Sequence, residues 1–236
     1  MHFRDRHEAG QLLAKELATL RGHKDILVLG VPRGGVVVAY EVARALGAPL
    51  DVYITRKVGA PQNPELAIGA VASDGTLVLD HDLIERLGVP GTYVQEETAR
   101  QRQEIKRRMA AYRGSRPAVE LKGKTVILVD DGVATGATIL ASLRAIRTSQ
   151  PARLILAVPV GPQDTIQALS GEADQVICLY MPDLFWAVGA FYAVFDQTSD
   201  AEVIQLLQEP ETLTPGQGPA EERRSQSRQE SGMQER

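Results

Sequence analysis

The stretch Val126-Ile127-Leu128-Val129-Asp130-Asp131-Gly132-Val133-Ala134-Thr135-Gly136-Ala137-Thr138 carries a buried apolar run straight into two carboxylates and a loop of small residues. Gly132, Ala134, Gly136 and Ala137 keep that loop free of bulk. Backbone N–H groups at the start of the helix that follows can therefore converge on a phosphate, helped by the helix dipole. Thr135 and Thr138 can add hydroxyl donors. Two neighbouring carboxylates at a strand end are costly to place together unless they accept hydrogen bonds, and the 2′,3′-diol of a ribose offers two donors. The string as a whole describes a cradle for ribose 5-phosphate.

The same strand–loop–helix design occurs earlier in the chain. Ile26-Leu27-Val28-Leu29 ends in the turn Gly30 to Gly35, a helix-like run continues to Leu46, and a strand is expected over Asp51 to Thr55. Downstream of the acidic string a helix is expected to about Thr148, then a strand over Arg153 to Val158. Strands that are apolar throughout, rather than alternating, imply a parallel sheet covered on both faces. The expected fold class is α/β. Asp5 to Leu20 adds an amphipathic helix with Ala9, Leu12, Leu13, Leu17 and Leu20 on one face, and with Asp5 and Glu8 at capping-box spacing.

Between the two units, Leu66 to Ala72 and Thr76 to Leu79 flank Ser73-Asp74-Gly75 as a hairpin. Thr92 with Gln95 opens a long polar helix to about Tyr112. Its cluster Lys106-Arg107-Arg108 shares the helix with Glu96, Glu97 and Glu104, which makes it a solvated face. His81, within Asp80-His81-Asp82, reads as the neighbour of a helix cap.

At 236 residues with 44% hydrophobic composition, the chain has material for one substantial core with an appendage. The single Cys178 lies in an apolar run and reads as a small buried hydrophobe. After Glu209 the composition falls to Pro, Gly, Gln, Ser, Glu and Arg, so residues 209–236 are expected to be a disordered polar tail. No apolar stretch has the length of a membrane span and the first residues lack the apolar core of a secretory signal, so a cytoplasmic location and no membrane partner are expected. A net charge of −4, without a basic patch studded with aromatics, argues against nucleic acid as a partner. Any anionic ligand is then held locally.

A P-loop needs Lys just before its Ser/Thr, and the dinucleotide fingerprint has no acidic pair ahead of its glycines; the string fits neither. It resembles the phosphoribosyl pyrophosphate (PRPP) motif of type I phosphoribosyltransferases, and the resemblance extends over roughly residues 1–208. It implies a mostly parallel five-stranded sheet flanked by helices, with a small hood at about 66–120. Asp130 and Asp131 would hold the ribose hydroxyls. Gly132, Val133, Ala134, Thr135, Gly136, Ala137 and Thr138 would hold the 5′-phosphate. Arg33, Gly34 and Gly35, in the loop after the first core strand, would bind pyrophosphate.

The resemblance further makes Arg56 to Glu65 a mobile loop that closes over the pyrophosphate, with Arg56 and Lys57 stabilising the leaving charge; an ordinary surface loop with two solvated cations is the competing reading. Phe185 or Trp186, in a segment like the Pro-Asp-x-Phe stretch of hypoxanthine-guanine enzymes, would stack on a base. Mg²⁺ would be bound largely by water and ligand oxygens, with Asp130 and Asp131 touching it weakly or through water. The implied activity is Mg-dependent transfer of the 5-phosphoribosyl group from PRPP to a nitrogenous acceptor, a nucleobase, with release of pyrophosphate. A non-catalytic regulator that binds PRPP or a nucleotide through the same site is the alternative. A homo-oligomer is compatible with either.

Overall fold

The computed structural model describes residues 2–208 apart from 115 and 118, and the tail expected over 209–236 lies outside the described residues. Five strands form one sheet: β1 (Ile26–Gly30), β2 (Leu50–Val52), β6 (Thr125–Val129), β7 (Arg153–Val160) and β8 (Gln175–Tyr180). All their pairings are parallel, in the order β2-β1-β6-β7-β8. Successive side chains of a strand point to opposite faces, so a strand covered on both faces must be apolar at every position.

The packing follows that rule. Leu27, Leu29, Val126, Leu128, Leu154 and Leu156 join one cluster with Ile139, Leu143 and Ile146 of helix α5 (Ala137–Thr148). Their alternates Ile26, Val28, Ile127, Val129, Ile155 and Ala157 join another, with Leu13 of helix α1 (Arg6–Glu16) and Val38 and Val42 of helix α2 (Gly34–Leu46). Helix α6 (Gln163–Leu169) covers the first face near the end of β7.

Helix α1 is capped as the sequence suggests, Glu8 N donating to Asp5 Oδ1 at 2.8 Å. It ends at Glu16, and a 3-10 turn over Ala18–Leu20 completes the segment expected as a single helix. The expected strand over Asp51 to Thr55 is shorter, because Tyr53 N donates to Gly30 O at the edge of the sheet and the chain then leaves it.

The chain leaves into a second, antiparallel sheet of β3 (Thr55–Ala60), β4 (Asn63–Ala72) and β5 (Leu77–Leu79). Helices α3 (His81–Arg86) and α4 (Gly91–Arg113) pack on it. This hood starts at Thr55, ahead of the expected boundary near 66. Arg56 to Glu65, expected as a loop, is a tight hairpin in which Ala60 pairs with Asn63. Its Gly and Pro content suggested a loop, but Val58 and Ala60 are buried. Gly59 is also pressed so closely by Pro64 that an added Cβ would lie 2.6 Å from the Pro64 carbonyl oxygen. The hairpin at Ser73-Asp74-Gly75 forms as expected, with Ala72 N donating to Thr76 O. Helix α4 starts one residue before Thr92, at Gly91 after Pro90, without a side-chain cap. Helix α7 (Asp200–Gln208), the last among the described residues, closes the hood core with Val203, Leu206 and Leu207. No helix among the described residues is long and apolar enough to cross a membrane.

Candidate active site

Because β1 and β6 are neighbours with Gly30 in register with Val129, the loops that follow them leave the sheet side by side. Val31 N donates to Val129 O at 2.9 Å and fastens one loop to the other strand. Asp130 and Asp131 follow Val129 directly, and the peptide between Pro32 and Arg33 is cis. The two glycines after Arg33 are pressed against the acidic pair. A Cβ on Gly34 would lie 2.0 Å from Asp131 Oδ2, and one on Gly35 would lie 2.6 Å from Asp130 Oδ1. Only residues without side chains allow this approach.

The pair is asymmetric. Asp130 is half-buried, and its Oδ1 accepts from Asp131 N at 2.9 Å. Burial, reinforced by the charge on Asp131, raises Asp130 well above the usual carboxylate range. Asp131 Oδ2 accepts from Arg6 Nε at 2.7 Å, and both side chains are mostly buried. Arg6 itself is held by donation to Asp196 O at 2.8 Å and by the ring of Phe195, 3.9 Å from its guanidinium carbon. Tyr192 donates its hydroxyl to the backbone carbonyl of Asp131 at 2.6 Å. Burial, then the nearby Asp131 charge, raises the Tyr192 phenol, so it remains a donor at neutral pH.

Residues 132–138 connect the acidic pair to α5. Gly132 and Val133 are buried, and Val133 N donates to Val160 O at 2.9 Å, which anchors the loop to β7. A Cβ on Gly132 would meet Val188 at 2.5 Å. Ala134, Thr135, Ala137 and Thr138 are exposed, with Thr165 Oγ1 supporting the loop through Ala134 O at 3.0 Å. Gly136 starts α5 at φ 75°, a left-handed conformation that favours glycine. The first amides of α5 are thereby presented beside the two threonine hydroxyls.

Other candidates are distributed around this centre. Arg33 is about two-fifths exposed, with its nearest carboxylate, Asp200, at 4.0 Å. Arg56 and Lys57 sit in a strand and so point to opposite faces. Arg56 turns to α4, where its Nε donates to Gln101 at 2.5 Å, while Lys57 is exposed on the side of Thr55, whose hydroxyl accepts from Ser142 of α5. Phe185 stacks on Phe191 with centroids 5.3 Å apart, whereas Trp186 is 86% exposed. His81 opens α3 beside its cap Asp80, as expected. Among the described residues no group of three or more His, Cys, Asp and Glu is placed to hold a metal ion.

Arg6 and Tyr192 were not legible as site residues. Arg6 looks like a solvated charge at the start of an amphipathic helix, and neither residue carries a local motif; only the fold brings them to Asp131.

Three comparisons bear on this geometry. Two Mycobacterium tuberculosis proteins provisionally named phosphoribosyl transferases, from strains CDC 1551 and H37Rv, are each 45% identical over 205 residues. That alignment covers 87% of this chain but 46% of each relative, so the chain spans about half the length of these curated relatives. The crystal structure of TT1426 from Thermus thermophilus superposes with a TM-score of 0.80 at 47% identity, covering 88% of this chain and 98% of that one. The family model described as the phosphoribosyl transferase domain matches residues 6–195, which include Arg6, both glycine loops and the acidic pair, and the chain belongs to that family.

Proposed function

We propose that the chain transfers the 5-phosphoribosyl group of PRPP to a nitrogenous acceptor, releasing pyrophosphate. The observation that carries this reading is the junction at the carboxyl ends of β1 and β6. There the acidic pair lies against Gly34 and Gly35, with the exposed, amide-rich start of α5 on its other side. A ligand with a diol between two phosphate groups matches that order of acceptors and donors.

Asp130 and Asp131 accept from the ribose hydroxyls. Arg6 occupies one oxygen of Asp131, which leaves Oδ1 for the ligand and fixes the carboxylate's orientation. The amides of 134–138 and the hydroxyls of Thr135 and Thr138 hold the 5′-phosphate. Arg33 and the amides of Gly34 and Gly35 face the pyrophosphate, and Lys57, rather than Arg56, is the hairpin cation directed away from α4. Positioning, and positive charge around the departing diphosphate, supply most of the catalysis.

Two carboxylates, one of them already bonded to Arg6, do not make a metal cage. Asp130 and Asp131 would hold an Mg²⁺ only weakly or through water. When bound, such an ion neutralises charge on the leaving group. Exposed Trp186 is the candidate surface for the flat face of an acceptor base, whereas Phe185 is engaged with Phe191. The test is pyrophosphate release from PRPP and Mg²⁺ across purine, pyrimidine and other nitrogen acceptors. Release with one acceptor, lost in Asp131→Asn, supports transfer; tight PRPP binding without release for any acceptor favours a regulator that uses the same cradle.

A further inference from the structure

A serine on α5 joins the phosphate loop to the hood. Ser142 is fully buried, and its hydroxyl oxygen lies 2.8 Å from the carbonyl oxygen of Thr138, one turn back, and 2.8 Å from Oγ1 of Thr55, the first residue of β3. A serine inside a helix commonly bonds the carbonyl one turn back, and that bond alone would satisfy its proton. The second contact is with another part of the fold, 87 positions away in sequence. Thr138 belongs to the loop proposed to hold the 5′-phosphate, and Thr55 leads into the strand that carries Lys57.

The other contacts between the hood and this helix leave the spacing near the phosphate loop to that bond. The ties of Thr76 to Thr148, at 3.3 Å, and of Ser149 to Asp74, at 3.0 Å, lie at the far, C-terminal end of α5. Towards the N-terminal end a cleft of about 560 Å³ separates Ala67, Gly69 and Ala70 of β4 from Ala137, Leu140 and Ala141 of α5. Ala72 and Val78 pack on the cluster that includes Ile139 and Leu143. Apolar contact has no direction and tolerates sliding, whereas a hydrogen bond weakens steeply once its angle is lost. Lys57 pairs with Ala70, which lines the cleft, and it faces the same way as Thr55. A shift of β3 against α5 therefore moves Lys57 relative to the phosphate loop.

We propose that Ser142 is a positioning residue for bound PRPP: its hydroxyl fixes the distance between the phosphate loop on α5 and the hood strand that carries Lys57, and so between the groups that hold the two ends of the ligand. This role rests on the reading of the site as a PRPP cradle and adds to it the device that sets its span. A ligand that reaches both ends feels the spacing, and one that occupies a single end does not.

The test is calorimetric titration of the full chain, in Mg²⁺, with PRPP, with ribose 5-phosphate and with pyrophosphate, while thermal melting confirms folding. In Ser142→Ala and in Thr55→Val the PRPP dissociation constant should rise about three- to tenfold, the size of one lost hydrogen bond, while those of the two one-ended ligands change by less than about twofold. Thr55→Ser keeps the hydroxyl and should bind PRPP as the wild type does. The double variant Ser142→Ala/Thr55→Val should lose no more than either single one. Unchanged PRPP affinity in both folded single variants would overturn the proposal. Losses of equal size for PRPP and ribose 5-phosphate would overturn it too, because Ser142 would then support only the phosphate loop. Failure of the folded wild type to bind PRPP would refute the cradle itself, and the positioning role with it.

Discussion

Arg6 crosses 125 positions of sequence to reach Asp131, and its contacts explain how two neighbouring carboxylates are held side by side. Its guanidinium neutralises one oxygen, stacks on Phe195 and is tied to the Asp196 carbonyl. Both partners are mostly buried, so removing one strands a charge in a poorly solvated place. Arg6→Met should therefore lower unfolding stability by about 3 kcal/mol in urea melts and weaken PRPP binding as well. Loss of binding with unchanged stability would mean that Arg6 touches ligand rather than supporting Asp131. Cys178 gives a simpler result. Its thiol donates to Tyr180 O at 3.3 Å, and burial pushes its pKa up to about 11. The folded state thus keeps the proton over a range in which an exposed thiol, near about 8.5, has lost it. Iodoacetamide labelling should be slow at about pH 8.5 and rise only as pH approaches about 11, whereas the urea-unfolded chain should label readily at about pH 8.5.

At the scale of elements, the two glycine loops meet because parallel neighbours β1 and β6 end in register, and Gly34 is where the fit is tightest. Gly34→Ala places a methyl group on Asp131 Oδ2 and should cost about 1–3 kcal/mol of stability, read by thermal melting, with PRPP affinity reduced at least about tenfold. The core units were legible in the sequence because β1 and β6 are apolar almost throughout and each is followed by a loop with small residues and a helix. The hairpin at 55–72 was not, since Gly59, Pro61, Asn63 and Pro64 resemble a loop until Val58 and Ala60 are seen to pack into the hood. The consequence falls on the site. A strand sends adjacent side chains to opposite faces, so Arg56 and Lys57 separate where a loop could have brought them together. The strand–loop–helix order from β6 through residues 130–136 to α5 is the one the sequence suggested, and Val133 packs into the core within it.

Hood and core are joined by an apolar cluster, in which Val36, Val37 and Val52 pack with Val58, Ile68 and Val71, and by polar ties. Asp51, buried in β2, accepts from Arg113 Nε at 2.9 Å and Nη2 at 2.6 Å, joining the sheet to the last turn of α4. Tyr53 and Ser149 both donate to Asp74, and Tyr112 donates to Asp200 on α7. Arg113→Met leaves Asp51 buried and unpaired and should cost about 3–5 kcal/mol, whereas Asp51→Leu combined with Arg113→Met should recover part of that loss in a double-mutant cycle. These ties hold the hood against β2 and α5, and PRPP and its acceptor are proposed to meet at the carboxyl ends of β1 and β6. The most direct measurement of that claim is calorimetric titration of PRPP with Mg²⁺ into the wild type and into Asp130→Asn/Asp131→Asn. The account predicts binding at one site per chain that disappears in the folded double variant. Absence of binding to the folded wild type, or equal binding by the variant, would contradict it.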